Sequence, residues 1–142
     1  MYEVKTFEQF AVGDQGSFSK TVTEADVVNF AGTSGDFNPL HMNAEYAATT
    51  PYKGRIAHGA LVSSFISTAG AMFVGLGAIY VSQYSKFLAP VRIGDTITAT
   101  MEVVETIPEK NRIRTRTCCT NQTGKIVIDG EAIVMVPKKT GS

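Results

Sequence analysis

The sequence predicts an α+β domain in which an antiparallel sheet packs on one long helix. Three observations predict it. Leu61, Val62, Phe65, Ile66, Ala69, Met72 and Phe73 recur at helical spacing between Gly59 and about Gly75. Thr96, Thr98, Thr100 and Glu102 instead interleave with Ile97, Ala99, Met101 and Val103, which is the period of a half-buried strand. The candidate strands after the helix are joined by hairpin-length connections, which favours an antiparallel sheet.

The elements follow in order. Gly16 to Val22 is the first predicted strand. Thr23 then caps a helix: its hydroxyl precedes Glu24, Ala25 and Asp26, and Asp26 completes a capping-box spacing. Acids in that first turn also suit the helix dipole. Val27, Val28, Phe30 and Ala31 supply the apolar side, and the helix should end near Ser34-Gly35. Asn38 before Pro39 disfavours helix, so a turn is expected there. A short helix from Ala44 to Thr49 follows, and Pro51 stops it. A loop over Tyr52 to Ala57 leads to His58-Gly59 and the long helix. Ser63, Ser67 and Gly70 give that helix a second face of small residues, where another backbone or a ligand can come close.

Ala78 to Leu88 is the next predicted strand, and Pro90 to Asp95 a turn before the strand that starts at Thr96. Glu109-Lys110-Asn111 turns the chain. Arg112, Arg114 and Arg116 then alternate with Ile113 and Thr115, as on a strand with one solvated face. Asn121-Gln122-Thr123-Gly124 turns it again, and Ile126 to Val136 is the last strand. No linker, repeat or low-complexity run interrupts residues 1–142, so one domain is expected.

Composition narrows the function classes. An apolar fraction of 44% against 18% charged describes a globular chain with its own core. Thirteen Lys and Arg balance thirteen Asp and Glu, so there is no electrostatic case for a nucleic-acid partner. Cys118 and Cys119 are neighbours, which rarely suits a disulfide, and a reducing, cytoplasmic setting is expected. The first residues lack the apolar run of a signal peptide. No charge occurs between Arg55 and Lys86, a gap long enough to cross a membrane. Yet serines and glycines interrupt it, and its pattern changes from helix to strand at Gly77. A buried helix followed by a buried strand is therefore expected, with no membrane partner.

Only two histidines are present, His41 and His58, both in irregular regions. Asp36 and His41 stand five residues apart across the Asn38-Pro39 turn. A turn can aim both at one water, and imidazole with carboxylate makes a proton-handling pair. Spacing alone favours plainer roles: Asp36 closing the turn through its side chain, His41 as a satisfied loop histidine. Gly59 opens the long helix, where free N–H groups stabilise negative charge such as that of a thioester enolate. A glycine needed only for the turn is the plainer alternative. Gly32-Thr33-Ser34-Gly35 is not a nucleophile elbow, Gly75-Leu76-Gly77 lacks a dinucleotide fingerprint, and no ligand spacing suggests a metal or other cofactor.

The run from Phe30 through Gly35-Asp36-Phe37-Asn38-Pro39-Leu40-His41 to Ala47 resembles the hydratase 2 motif of the MaoC-like (R)-specific enoyl-CoA hydratases. The resemblance continues through Arg55-Ile56-Ala57-His58-Gly59, Phe87-Leu88-Ala89-Pro90-Val91, Gly94-Asp95 and Gly130-Glu131-Ala132, and so covers nearly the whole chain. It implies a hot-dog fold, a long helix wrapped by an antiparallel sheet. It implies reversible addition of water to a trans-2-enoyl thioester, giving the (R)-3-hydroxyacyl product on short to medium chains such as crotonyl-CoA. Asp36 and His41 would activate the water, and the Gly59 N–H would bind the thioester oxygen. Asn38 would shape the turn and Ser67 would support the site. Hot-dog proteins commonly pair, so a homodimer is expected. The carrier could be coenzyme A or acyl carrier protein. A hot-dog thioesterase and a non-catalytic acyl-binding module are the rival readings; the Asn-Pro-x-His turn argues against the first, and the presence of both Asp36 and His41 against the second.

Overall fold

The computed structural model describes residues 2–139. Five strands form one antiparallel sheet: β1 (Gln15–Thr21), β2 (Ile79–Phe87), β3 (Thr96–Ile107), β4 (Arg112–Thr120) and β5 (Ile126–Met135). Their order across the sheet is β1-β3-β4-β5-β2. Four α-helices accompany them: α1 (Glu24–Ser34), α2 (Pro39–Met42), α3 (Ala44–Ala48) and α4 (Gly59–Val74). The α+β architecture expected from the sequence is present, with α4 lying against β1, β3 and β4.

Burial explains why α4 is a helix. Its Gly70 and its serines are poor helix formers, and each glycine costs about 0.8–1.0 kcal/mol relative to alanine. Leu61, Val62, Phe65, Ile66 and Ala69 are all buried on one face. Each large side chain in such a stripe contributes about 1.5–3 kcal/mol, so packing outweighs propensity. Met72, read as part of that stripe, is 53% exposed, and Val74 takes the last buried place instead. No helix among the described residues is long and apolar enough to cross a membrane.

The strands follow their alternation. Ile97, Ala99, Met101 and Val103 are all fully buried, as their spacing predicts. In β4 the inward set is Ile113, Thr115, Thr117 and Cys119. Two buried threonines are tolerated because both bond: Thr115 Oγ1 donates to the Ala132 carbonyl at 2.9 Å, and Thr117 accepts from Gln83 Nε2 at 3.3 Å. Gly130 is glycine because β5 runs close beside β2: a Cβ there would lie 1.9 Å from the Tyr84 carbonyl oxygen.

Two expectations are corrected. The Asn38-Pro39 segment is not only a turn. Asn38 is the N-cap of the four-residue helix α2, and Pro39 occupies its first turn, where a missing N–H costs nothing. The strand read as buried, β2, is open on both faces, with Ile79, Tyr80, Val81, Tyr84 and Phe87 all exposed. Its place at the sheet edge explains this, since the apolar face of α4 is spent on the other strands.

α1 begins as predicted. The Asp26 N–H donates to Thr23 Oγ1 at 3.1 Å, and the Thr23 N–H donates to Asp26 Oδ2 at 2.9 Å. Burial pushes the Asp26 carboxyl up, but the Lys20 ammonium at 2.6 Å and the Thr23 bonds outweigh this and hold it below its ordinary 3.8. That stabilisation is present above 3.8 and is lost as pH falls through the lowered value. Val28, assigned to the apolar side, is 45% exposed, whereas Val27 and Ala31 are buried. Replacing the cap, Thr23→Ala, is expected to destabilise the fold by about 1 kcal/mol. Urea unfolding should show a lower midpoint with an unchanged slope.

Candidate active site

The end of α1 sets the first half of the site. Gly35 adopts φ 83°, the left-handed conformation that stops a helix and turns the chain. The Asp36 N–H then donates to Ser34 Oγ at 3.1 Å. Asp36 Oδ1 accepts from the Asn38 N–H at 3.2 Å, so the turn-closing role is real. Asn38 Oδ1 accepts from the Leu40 N–H at 3.0 Å and starts α2. The tight turn brings His41 into the interior, 9% exposed, while Asp36 remains at the surface.

His41 is held from three directions. Its Nδ1 lies 2.7 Å from the Ile56 carbonyl oxygen. A carbonyl only accepts, so Nδ1 carries the hydrogen, and in the neutral ring Nε2 keeps its lone pair. Arg55 Nε donates to the His41 carbonyl at 2.6 Å. The same guanidinium clasps Glu24 of α1 at 2.8 and 3.1 Å, tying the loop to the helix that precedes it. The third support is His58, whose ring centroid is 4.1 Å from that of His41.

His58 is the N-cap residue of α4 and is 1% exposed. Gly59 follows it as the first helical residue, where an α-helix supplies no acceptor for the N–H. A cleft of about 410 Å³ lies in front, lined by His41, Ile56, Gly59, Val62, Phe87 and Leu88 among others. The turn with Asp36 and the adjoining α2 with His41 thus meet the start of α4, which is distant in sequence.

Ser67 does not join them. It lies two turns along α4 from Gly59 and lines a separate groove with Ser63, Tyr80, Gln83 and Phe87. Phe87 borders both spaces, so it divides the cleft from the groove along the small-residue face. The parts that sequence reasoning missed are the Ile56 carbonyl, Arg55 and the His58 ring. Arg55 and His58 stand in the same short run as Gly59, which is the signal that could have found them. A backbone carbonyl has no signature in sequence.

The fold also corrects the view that nothing resembles a ligand set. One ligand atom each of Asp36, His41 and His58 lies within 4.8 Å of the others. Two of the four ring nitrogens already face backbone carbonyls. The ring planes are only 32° from parallel at 4.1 Å, so their remaining lone pairs converge poorly at a zinc-type bond length of about 2.0–2.1 Å. The set fits proton handling better than metal binding.

Other candidates fall away. Arg114 pairs with Glu105 at 2.9 Å and Glu131 at 3.1 Å, and Arg116 pairs with Asp129 at 3.0 Å. Two of the three arginines of the stripe, Arg114 and Arg116, are thus neutralised along the sheet surface. Burial, with Cys118 beside it, pushes the Cys119 thiol up to about 12, which is wrong for a nucleophile.

Known proteins are similar to this chain over most of its length. A family model described as MaoC like domain matches residues 9–127. The chain is 53% identical over 134 residues to the (R)-specific enoyl-CoA hydratase of Rhodospirillum rubrum, spanning 94% of this chain and 92% of that protein. It is 46% identical over 135 residues to the 3-hydroxybutyryl-CoA dehydratase of Methylorubrum extorquens, spanning 94% and 85%. The unliganded R-hydratase PhaJ1 of Pseudomonas aeruginosa superposes with a TM-score of 0.88 at 44% identity, spanning 94% of this chain and 86% of that one.

Proposed function

The chain belongs to the MaoC-like domain family, and from that premise we propose that it is an (R)-specific enoyl-CoA hydratase. It is a hydro-lyase with the hot-dog fold, interconverting a trans-2-enoyl-CoA and its (R)-3-hydroxyacyl-CoA. The observation that carries the reading is the state of His41. Its Nδ1–H is committed to Ile56, which leaves Nε2 as an acceptor beside Asp36 and at the edge of an apolar cleft.

In this reading Asp36 and His41 hold one water against the β carbon. The pair accepts a proton as the new C–O bond forms. The electron pair of the double bond moves through the conjugated carbonyl onto the thioester oxygen. The Gly59 N–H donates to that oxygen, fixed in advance by the helix, so little reorganisation accompanies the charge. The pair then delivers a proton to the α carbon and the thioester is restored. Asn38 keeps the turn in shape, and Ser67 supports the acyl side of the site from further along α4. A spectrophotometric assay tests the activity: crotonyl-CoA should lose its enoyl absorbance without release of free thiol, whereas a thioesterase would release it.

We further infer that one domain spans the chain and that the working unit is a homodimer paired through β2. An edge strand with exposed Ile79, Val81, Tyr84 and Phe87 is a template for another strand. A second copy would also cover the groove that Ser67 lines. Light scattering at assay concentration should give at least a dimer, and a fully active monodisperse monomer would contradict the inference.

Asp36→Asn keeps shape but removes the proton acceptor. Turnover should fall by ~10² to 10⁴ while the fold survives. His41→Gln should behave similarly, and the double variant should be little worse than either, because both serve one water. Near wild-type turnover in Asp36→Asn would sink the assignment.

Gly59→Pro removes the proposed oxyanion donor. His58, which precedes it, has φ −59° and ψ 133°, a conformation that a following proline accepts. The Phe87 ring must shift, since a Cβ on Gly59 would lie 2.8 Å from Phe87 Cε1. With folding checked by melting temperature, turnover should drop by ~10² to 10³, and substrate binding should weaken much less. Unchanged turnover in a folded variant would mean that the thioester oxygen is held elsewhere.

A further inference from the structure

His58 has no assigned part in the chemistry, yet it touches both members of the acid–base pair and directly precedes Gly59. Its Nε2 lies 2.9 Å from the backbone carbonyl oxygen of Asp36. That oxygen only accepts, so Nε2 carries the hydrogen and donates it. The ring stacks on His41 with centroids 4.1 Å apart and planes 32° from parallel. Phe30 of α1 closes the opposite side at 4.8 Å. The His58 backbone continues directly into Gly59, the first residue of α4.

The ring does not serve the helix it precedes. An N-cap side chain ordinarily accepts from the first-turn N–H groups, and His58 makes no such bond. Its Nδ1 is buried without a hydrogen-bond partner among the described residues. A side chain kept only for packing would not leave a polar atom unsatisfied in the interior, because that carries a desolvation cost. A phenylalanine would fill the space without it. What histidine adds is the bond from Nε2 to the Asp36 carbonyl.

We propose that His58 is a positioning residue for the hydration: its Nε2–H anchors the Asp36 backbone and its ring backs His41, which keeps the acid–base pair in register with the Gly59 N–H. The proposal rests on the reading of Asp36 and His41 as that pair. Without the anchor, Asp36 is held only by the local bonds of its own turn, and Asp36 is exposed. A reacting group displaced by about 1 Å can cost ~10²-fold in rate. The effect should therefore fall on kcat.

The test uses His58→Phe, His58→Gln and His58→Asn, with Asp36→Asn as control, on crotonyl-CoA. Rates are corrected for the folded fraction. Phenylalanine keeps the ring and loses the donor. Glutamine loses the ring, but its amide nitrogen reaches the position of Nε2. Asparagine is polar too, but its amide stops at the position of Nδ1. His58→Phe should lose ~10- to 10²-fold in kcat with KM within ~3-fold, the mark of a group misplaced in the transition state. His58→Gln should recover part of that loss, and His58→Asn should not. A folded His58→Phe with kcat within ~2-fold of wild type overturns the proposal. If His58→Phe does not fold, equal kcat in His58→Gln and His58→Asn overturns it. The control separates the two readings. An active Asp36→Asn refutes the acid–base pair itself. An inactive Asp36→Asn beside an active His58→Phe refutes only the positioning role.

Discussion

The apolar face of α4 lies against β1, β3 and β4, and that contact sets where the helix begins. Val62, Phe65, Ile66 and Ala69 leave α4 little freedom to slide or rotate, because each would lose close packing with a sheet whose own inward residues are fully buried. Gly59, as the first helical residue, inherits that rigidity. A donor at the start of a loosely held helix could not face a developing charge without reorganising. Here the hydrophobic core holds the helix start in place, and the turn that carries Asp36 is fastened to its end.

The fastening is polar and local. Arg55 joins the His41 carbonyl to Glu24 of α1, Ile56 takes the His41 Nδ1–H, and His58 reaches the Asp36 carbonyl. These bonds gather residues 24 to 59 around one point without regular structure longer than α3 between α1 and α4. Backbone acceptors do most of the holding. His41 Nε2 is thereby left without a partner from the scaffold, at the wall of the cleft.

The other face of α4 has the opposite character. Ser63, Ser67 and Gly70 bury little apolar area, and they look toward β2, with Ser63 and Ser85 hydroxyls 3.4 Å apart and Gly70 near the Tyr80 hydroxyl. β2 is consequently held by β5 and only lightly by the helix, so its apolar side chains remain exposed. The two faces differ in work: one fixes the start of α4 against the sheet, and the other leaves a groove open along Ser63, Ser67 and Tyr80. This is also why Ser67 stands apart from His41 within one chain.

Much of this was legible in the sequence. The capping box at Thr23, the stripe on α4 from Leu61 to Ala69, the alternation of β3 and the stop at Gly35 are local rules, and each holds in the structure. The Gly-Asp-x-Asn-Pro-x-His run pointed to the candidate site, because its resemblance to a known motif spans Asp36 and His41. Burial of β2 was misread because an apolar strand looks the same whether it is central or at an edge; only sheet order decides that. The α2 helix was missed because Asn-Pro signals a turn and a helix start alike, and the choice depends on whether the next residues can pack. The roles of Ile56, Arg55 and His58 belong to tertiary structure alone. Their partners are backbone carbonyls, a second ring and, for Arg55, the Glu24 carboxylate 31 residues away, and no residue type or spacing records where a carbonyl points once the chain has closed on itself.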